Sequence, residues 1–211
     1  MIIGFVGFIG GGKGTVGQIL ERKGFVKDSF AAPVKDAVSV IFGWERELLE
    51  GETEKSRVFR ETPDIFWSER FGEPFSPRKA LQLMGTEAGR NVFHKDLWAL
   101  SFLRRVQSET RNVIVTDVRF PNEIDIICKT GGRVFHIQRG ELPFYFYGAR
   151  RVNFEYNFQV PVEEQTYTQD GKSVHYSEWA WIGHPLIDPF VIKNDGSLED
   201  LEKTVYNVVG Y

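Results

Sequence analysis

The stretch Ile2-Ile3-Gly4-Phe5-Val6-Gly7-Phe8-Ile9-Gly10-Gly11-Gly12-Lys13-Gly14-Thr15-Val16-Gly17-Gln18-Ile19-Leu20 decides the fold. Ile2, Ile3, Phe5 and Val6 make a continuous apolar run of strand length, as expected of a parallel strand covered on both faces. The glycines let the backbone curl, and Val16, Ile19 and Leu20 then recur at helical spacing. Gly24, after the basic pair Arg22 and Lys23, is a natural helix stop. The reading is strand, glycine loop, helix. Residues 1–9 are too short to span a bilayer and lack the basic flank and cleavage site of a leader.

Outward from that start, Phe25 and Val26 give a second short strand, and Ala31 opens a helix that runs to Phe42 before Gly43. Val113-Ile114-Val115 is the clearest internal strand, residues 134–137 form another, and Val191-Ile192 resumes the sheet. Ser76-Pro77 opens a helix over 76–90 with Ala80, Leu81, Met84 and Ala88 on its apolar face. Further helices are predicted over 95–106 and 123–129, and a last one is opened by a capping box of Ser197 and Asp200. Strands alternating with helices argue for an α/β fold with a parallel sheet.

The alternation lapses twice. Residues 44–75 are charged, aromatic and broken by Pro63 and Pro74, and 139–185 are rich in Phe, Tyr, Trp and Arg without a steady period. A chain of 211 residues, 42% hydrophobic, buries one sizeable core. The expectation is one domain with its core in about 1–43, 108–138 and 186–211, and with inserts in about 44–107 and 139–185. An irregular segment that long is more often a functional lid than a passive loop.

Gly7 to Lys13 spells the Gly-x-x-x-x-Gly-Lys core of the Walker A phosphate loop, with Thr15 one position later than the usual hydroxyl. Glycines let several N–H groups converge on phosphate oxygens at a helix N-terminus, and Lys13 supplies a full charge. Asp117 closes the strand 113–116, where a carboxylate can hold Mg²⁺ directly or through water. Val118 follows it, so the Asp-Glu pair of many water-activating ATPases is missing, as is an Asn-Lys-x-Asp guanine motif. A kinase needs cations for the transferring group and a second anion pocket. Arg57, Arg60, Arg70, Arg78 and Arg90 lie between the first and third strands, and Arg119 follows Asp117 by two positions.

The net charge of −3 is interspersed, which suits small anionic ligands better than a nucleic acid polymer. Cys128 is the only cysteine, so it makes no intrachain disulfide and reads as a small buried filler in a reducing compartment. His94, His136, His175 and His184 have no metal-ligand spacing.

Several blocks carry a family resemblance: Gly10-Gly11-Gly12-Lys13-Gly14-Thr15; Ser29-Phe30-Ala31-Ala32-Pro33-Val34-Lys35 with Phe42-Gly43-Trp44; and Arg78-Lys79-Ala80-Leu81-Gln82-Leu83-Met84-Gly85-Thr86-Glu87, continuing through Arg90 to Trp98. Thr116-Asp117-Val118-Arg119-Phe120-Pro121-Asn122-Glu123 follows, then His175-Tyr176-Ser177-Glu178 and Asn194-Asp195-Gly196-Ser197-Leu198. In this order they resemble the phage-type deoxynucleoside monophosphate kinases, themselves similar to the wider P-loop nucleoside monophosphate kinases.

The resemblance implies a P-loop kinase fold, a five-stranded parallel sheet flanked by helices, with a nucleotide-binding insert (44–107) and a lid (139–185). It implies an ATP-dependent deoxynucleoside monophosphate kinase of deoxynucleotide biosynthesis, using ATP and Mg²⁺. By the same resemblance Gly10, Gly11, Gly12, Lys13, Gly14 and Thr15 hold ATP phosphates, and Asn194 sits near the adenine. Thr15 and Asp117 serve Mg²⁺, and Lys35, Arg78, Gln82, Arg90 and Trp98 line the monophosphate site. Lys13, Asp117, Arg119 and Arg139 form the catalytic set. Arg150 and Arg151 are further candidates in the lid. Gly14 departs from relatives that carry an acidic residue directly after the loop lysine.

Two other readings stay open: another small-molecule P-loop kinase, such as a dephospho-coenzyme A kinase, whose Asn-Asp-Gly-Ser-Leu segment looks similar, and a non-catalytic nucleotide-binding protein. The expected partners are small molecules, with no nucleic acid polymer and no membrane, in a cytoplasm that is the host's if the chain is phage-encoded. A homodimer stays open.

Overall fold

The computed structural model describes Met1–Gly210. Five strands form one parallel sheet: β1 (Ile2–Val6), β2 (Val26–Asp28), β3 (Val113–Val115), β4 (Arg133–Gln138) and β7 (Ile187–Lys193). Its order is β2-β3-β1-β4-β7. The first apolar run of the sequence is therefore the central strand, with Ile3 beside Ile114 on one flank and Phe5 beside Phe135 on the other. The chain leaves β1 for β2 on one side and later returns to β4 on the other. The loop after β1 thus opens at the point where strand order reverses, which is where parallel sheets bind ligands. Pro189 is tolerated in β7 because that strand is an edge.

Two compact units make up the chain. The first, residues 1–29 and 105–211, contains the sheet. One face is covered by α1 (Lys13–Glu21) and α9 (Leu198–Val209), whose Val16, Ile19, Leu20, Leu201 and Val205 pack with Ile3, Phe5, Phe135 and Ile192. Another helix, α7 (Pro121–Lys129), begins two residues earlier than its apolar pattern suggests. Pro121 stands at its first position, and the Glu123 carboxylate accepts the N–H of Phe120 at 3.1 Å. Cys128, read above as a buried filler, is only partly buried; its Sγ lies 3.6 Å from the Leu186 carbonyl oxygen.

The irregular stretch 139–185 belongs to this unit and has two parts. Residues 179–182 form a floor in which Trp179, Ala180, Trp181 and Ile182 are 0–3% exposed. Above it in sequence come α8 (Phe146–Glu155) and a hairpin of β5 (Thr166–Gln169) and β6 (Lys172–His175). The Asn153 amide, fully buried, ties α8 to the floor by donating to the carbonyls of Trp179 and Ile182, both at 3.0 Å.

The second unit, residues 30–104, is helical. It contains α2 (Ala32–Phe42), α3 (Glu54–Glu61), α4 (Ile65–Phe71), α5 (Pro77–Gln82), a π-helix (Leu83–Phe93) and most of α6 (Leu97–Val106). Its core is aromatic: Trp44 stacks on Phe42 at 4.8 Å and donates its indole N–H to Asp64 at 2.8 Å. Because α2 packs on this core through Val38, it belongs with the second unit, whereas the sequence pattern assigned it to the sheet core. The helix predicted over 76–90 changes type after Gln82. The wider turns run through Gly85 and Gly89, where Trp98 donates to the Gly85 carbonyl at 2.7 Å and its ring covers Gly89.

Candidate active site

The site in the first unit starts from the glycine loop between β1 and α1. Gly7 has φ 151°, and a Cβ there would lie 2.3 Å from the Ile137 carbonyl oxygen. Gly12, the N-cap of α1, has φ 100°, and a Cβ there would meet the Asn194 side-chain nitrogen at 2.2 Å. Only glycine satisfies both positions. No side chain caps α1 and no acidic residue stands in its first turn, which leaves its leading N–H groups open to an anion.

The Asn194 amide donates to the Gly11 carbonyl at 3.0 Å, and its own N–H reaches Gln138 at 2.9 Å. Asn194, expected from the resemblance near the adenine, therefore braces the loop from β7. Lys13 folds back onto the loop, donating to the carbonyls of Gly7 at 2.5 Å and Phe8 at 3.0 Å. Burial, then the nearby Arg119 charge, pulls its ammonium down to about 8, while Glu178 works the other way. Thr15 stands two residues on, partly buried.

Arg119 follows β3 and is held at both ends. Its backbone N–H donates to the buried Glu123 carboxylate at 2.8 Å, and its guanidinium donates to Glu178 at 3.0 Å. Asp117, partly buried, lies two residues before it. Lys13 and Arg119 are thus brought together with a carboxylate that the sequence analysis gave no role. Arg139 is placed differently: it is exposed directly after β4 and forms no ion pair among the described residues.

Aromatic rings, Phe146 among them, pack against Phe8 of the loop. Phe8 packs 5.1 Å from Trp181, 5.7 Å from His136 and 6.0 Å from Tyr145, centroid to centroid. Burial, helped by the charges of Lys193 and Lys13, pushes His136 down to about 4, so it is neutral at pH 7. Burial, with the Glu178 charge, pushes the Tyr145 hydroxyl up to about 12. His136 entered the sequence analysis only as a histidine without metal-ligand spacing, and none of these groups was given a role at the loop. The only available signal was the aromatic density of 139–185.

The candidate acceptor residues fall in the second unit. Lys35 pairs with Glu50 at 2.5 Å, and Glu50 also takes Arg46, so the Glu50 carboxyl is held below its usual range. Arg78 and Gln82 lie four apart on α5 and are both exposed. They therefore share a face. The Arg78 guanidinium pairs with Glu61 at 2.8 Å. Arg90 lies in the π-helix beyond the change of helix type. Trp98 is the residue that covers Gly89.

An α/β protein with a glycine loop at the strand-order reversal and two cations beside it belongs to the class that handles phosphates. Residues 48–143 match the family model of deoxynucleotide monophosphate kinase. A protein of Acanthamoeba polyphaga mimivirus, named as a deoxynucleotide monophosphate kinase, is 34% identical over 154 residues, covering 66% of this chain and 74% of the relative. The deoxynucleoside-5'-monophosphate kinase of Escherichia phage T5 is 33% identical over 134 residues, covering 63% of this chain and 45% of that enzyme. Among solved structures, TT1252 from Thermus thermophilus matches with a TM-score of 0.42 at 20% identity, covering 100% of this chain and 96% of that one. The chain belongs to the deoxynucleotide monophosphate kinase family, whose members are nucleotide kinases.

Proposed function

We propose that the chain transfers the γ-phosphoryl group of ATP to a deoxynucleoside monophosphate, yielding the diphosphate and ADP. The observation that carries this reading is the convergence of Lys13 and Arg119 at an uncapped helix start. The acceptor's phosphate is largely dianionic at pH 7, since its second pKa is about 6. It needs no general base: one of its oxygens forms the new bond to the γ-phosphorus while the β–γ bridging oxygen leaves with the electron pair. What the protein must supply is position and positive charge. Loop N–H groups and Lys13 would cradle the β and γ phosphates, and Arg119 would meet the charge that grows on the transferring group.

The Thr15 hydroxyl and the Asp117 carboxylate are hard oxygen donors, the set Mg²⁺ takes alongside water and phosphate. Among the described residues no cluster of three or more His, Cys, Asp or Glu could hold a metal ion, so an all-protein metal cage is not part of the reading. When bound, Mg²⁺ would neutralise phosphate charge. Acceptor binding is assigned to Lys35, Arg78, Gln82, Arg90 and Trp98. Lys35 would exchange its Glu50 partner, and Arg78 its Glu61 partner, for the substrate's phosphate. Among the described residues no helix is long and apolar enough to cross a membrane, and the cytoplasm is the proposed location.

The test is ADP release from ATP measured across the common deoxy- and ribonucleoside monophosphates. Turnover with at least one deoxynucleotide is expected. Tight ATP binding with no ADP formed from any acceptor would overturn the reading in favour of a non-catalytic nucleotide-binding protein.

A further inference from the structure

The block His175-Tyr176-Ser177-Glu178 enters no step of the mechanism above, yet the fold sets it against the residues that follow β3. Two contacts join these segments: the Tyr176 ring lies 5.9 Å from Phe120, and the Glu178 carboxylate takes the Arg119 guanidinium at 3.0 Å. An ordinary surface ion pair contributes little, because two long side chains must be immobilised to form it. Here the Glu178 side is already immobilised, and the Arg119 backbone is fixed while its side chain is not. Glu178 ends a single 3-10 turn, Tyr176–Glu178, between Tyr176 at 6% exposure and Trp179 at 0%. The turn is tied down by the Tyr176 N–H on Gln165 at 2.7 Å and by the Trp179 indole on the Val174 carbonyl at 3.2 Å. On the other side the Arg119 backbone is fixed by Glu123. The carboxylate itself is mostly covered, its side chain 24% exposed.

We propose, resting on the kinase reading, that Glu178 is a positioning residue for phosphoryl transfer: it aims Arg119 at the phosphate loop before nucleotide arrives. Two cations brought together without an anion repel each other, and an unrestrained arginine at 49% side-chain exposure would turn toward water. Glu178 opposes both effects, and its field also reaches Lys13. The site then meets the triphosphate with its charges already placed, which is what electrostatic catalysis requires.

The test is a double-mutant cycle of Glu178→Ala and Arg119→Ala in the full chain, read on kcat, on acceptor KM and on the Kd of a non-hydrolysable ATP analogue. Glu178→Ala is expected to lower kcat about tenfold or more, leave acceptor KM within about twofold, and cost nothing further once Arg119 is gone. Glu178→Gln keeps an acceptor oxygen for the guanidinium and should recover part of the loss. Equal losses in both backgrounds, or unchanged kcat in Glu178→Ala, overturn the proposal. Should Glu178→Ala fail to fold, the Gln variant in the same cycle decides. Analogue binding needs no turnover, so it separates the two readings. Coupled losses in Kd with no activity in the wild-type chain sink the kinase reading and uphold the pairing. Turnover with uncoupled losses does the reverse.

Discussion

Lys13 has its ammonium on two loop carbonyls and is not among the residues of the sheet core. Replacing it with alanine should leave thermal unfolding within a few degrees of wild type while lowering kcat by on the order of 10²–10³, the scale on which a preorganised charge acts in a water-poor site. A folded Lys13→Ala protein with near-normal turnover would remove the phosphate-loop assignment. His136 offers a stability test instead. Its folded pKa, about 4, lies below the ordinary imidazole value of 6.5 because burial, helped by the Lys193 and Lys13 charges, disfavours the charged form. An unfolded chain therefore binds more protons between those values. The stability His136 permits is fully present above about pH 6.5 and is lost as pH falls toward 4, by on the order of 3 kcal/mol. His184 is shifted in the same direction, also by burial. Denaturant unfolding at pH 7 and pH 4.5 should show a smaller loss for His136→Gln than for wild type, and equal losses would mean His136 is not buried neutral.

The helix that carries Arg78 and Gln82 shows what can be read locally and what cannot. Ser76-Pro77 marked its start correctly, since the Ser76 hydroxyl accepts the Lys79 N–H at 3.3 Å and Pro77 takes the first position. The apolar spacing could not show that the helix loosens into π turns after Gln82. Within those turns the Gly85 carbonyl accepts the indole N–H of Trp98, 13 residues further on. The same limit explains the start of α7, set by a Glu123 carboxylate facing backward, and the convergence of Glu178 on Arg119 across 59 residues. Strand, loop and cap signals are local, whereas pairing between segments is written in the topology. If the exposed face of α5 reads the acceptor, Gln82→Ala should raise acceptor KM several-fold and leave ATP KM nearly unchanged. Loss confined to ATP would move the helix to the donor side. Gly89→Ala is a second probe, because its Cβ would lie 2.3 Å from the Trp98 ring. Overpacking of that kind costs about 1–3 kcal/mol, visible as a lowered Tm.

At the scale of the molecule, the chain crosses between its two units twice, at residues 29–30 and 104–105. Arg105 ties those crossings together on the sheet side, donating to both carboxylate oxygens of Asp28 at 2.9 and 3.1 Å and to the Ser29 carbonyl at 2.8 Å. Each unit has its own buried core, one built on the sheet and one on Trp44 and Phe75. Each is therefore expected to answer its own ligand, since binding stabilises the structure that makes the contacts. Hydrogen exchange with an ATP analogue alone should protect the loop and the start of α1 and leave α2 and α5 unchanged. The acceptor monophosphate alone should protect α2, α5 and the π-helix. The stretch 139–185 needs a divided expectation, because its floor is fixed by Asn153 and by the Trp179 indole. Residues 179–182 should exchange slowly with or without ligand. We propose that the exposed hairpin of β5 and β6 is the part that closes over nucleotide and excludes water, whereas α8, which carries Arg150 and Arg151, is pinned to the floor by Asn153. Protection of the hairpin should appear only when both ligands are bound, and replacing the arginine that meets the transferring group should lower kcat more than it weakens binding. Exchange in the hairpin that ignores both ligands, with Arg139, Arg150 and Arg151 each replaceable at no loss in kcat, would leave this segment a rigid scaffold and end its assignment as a lid.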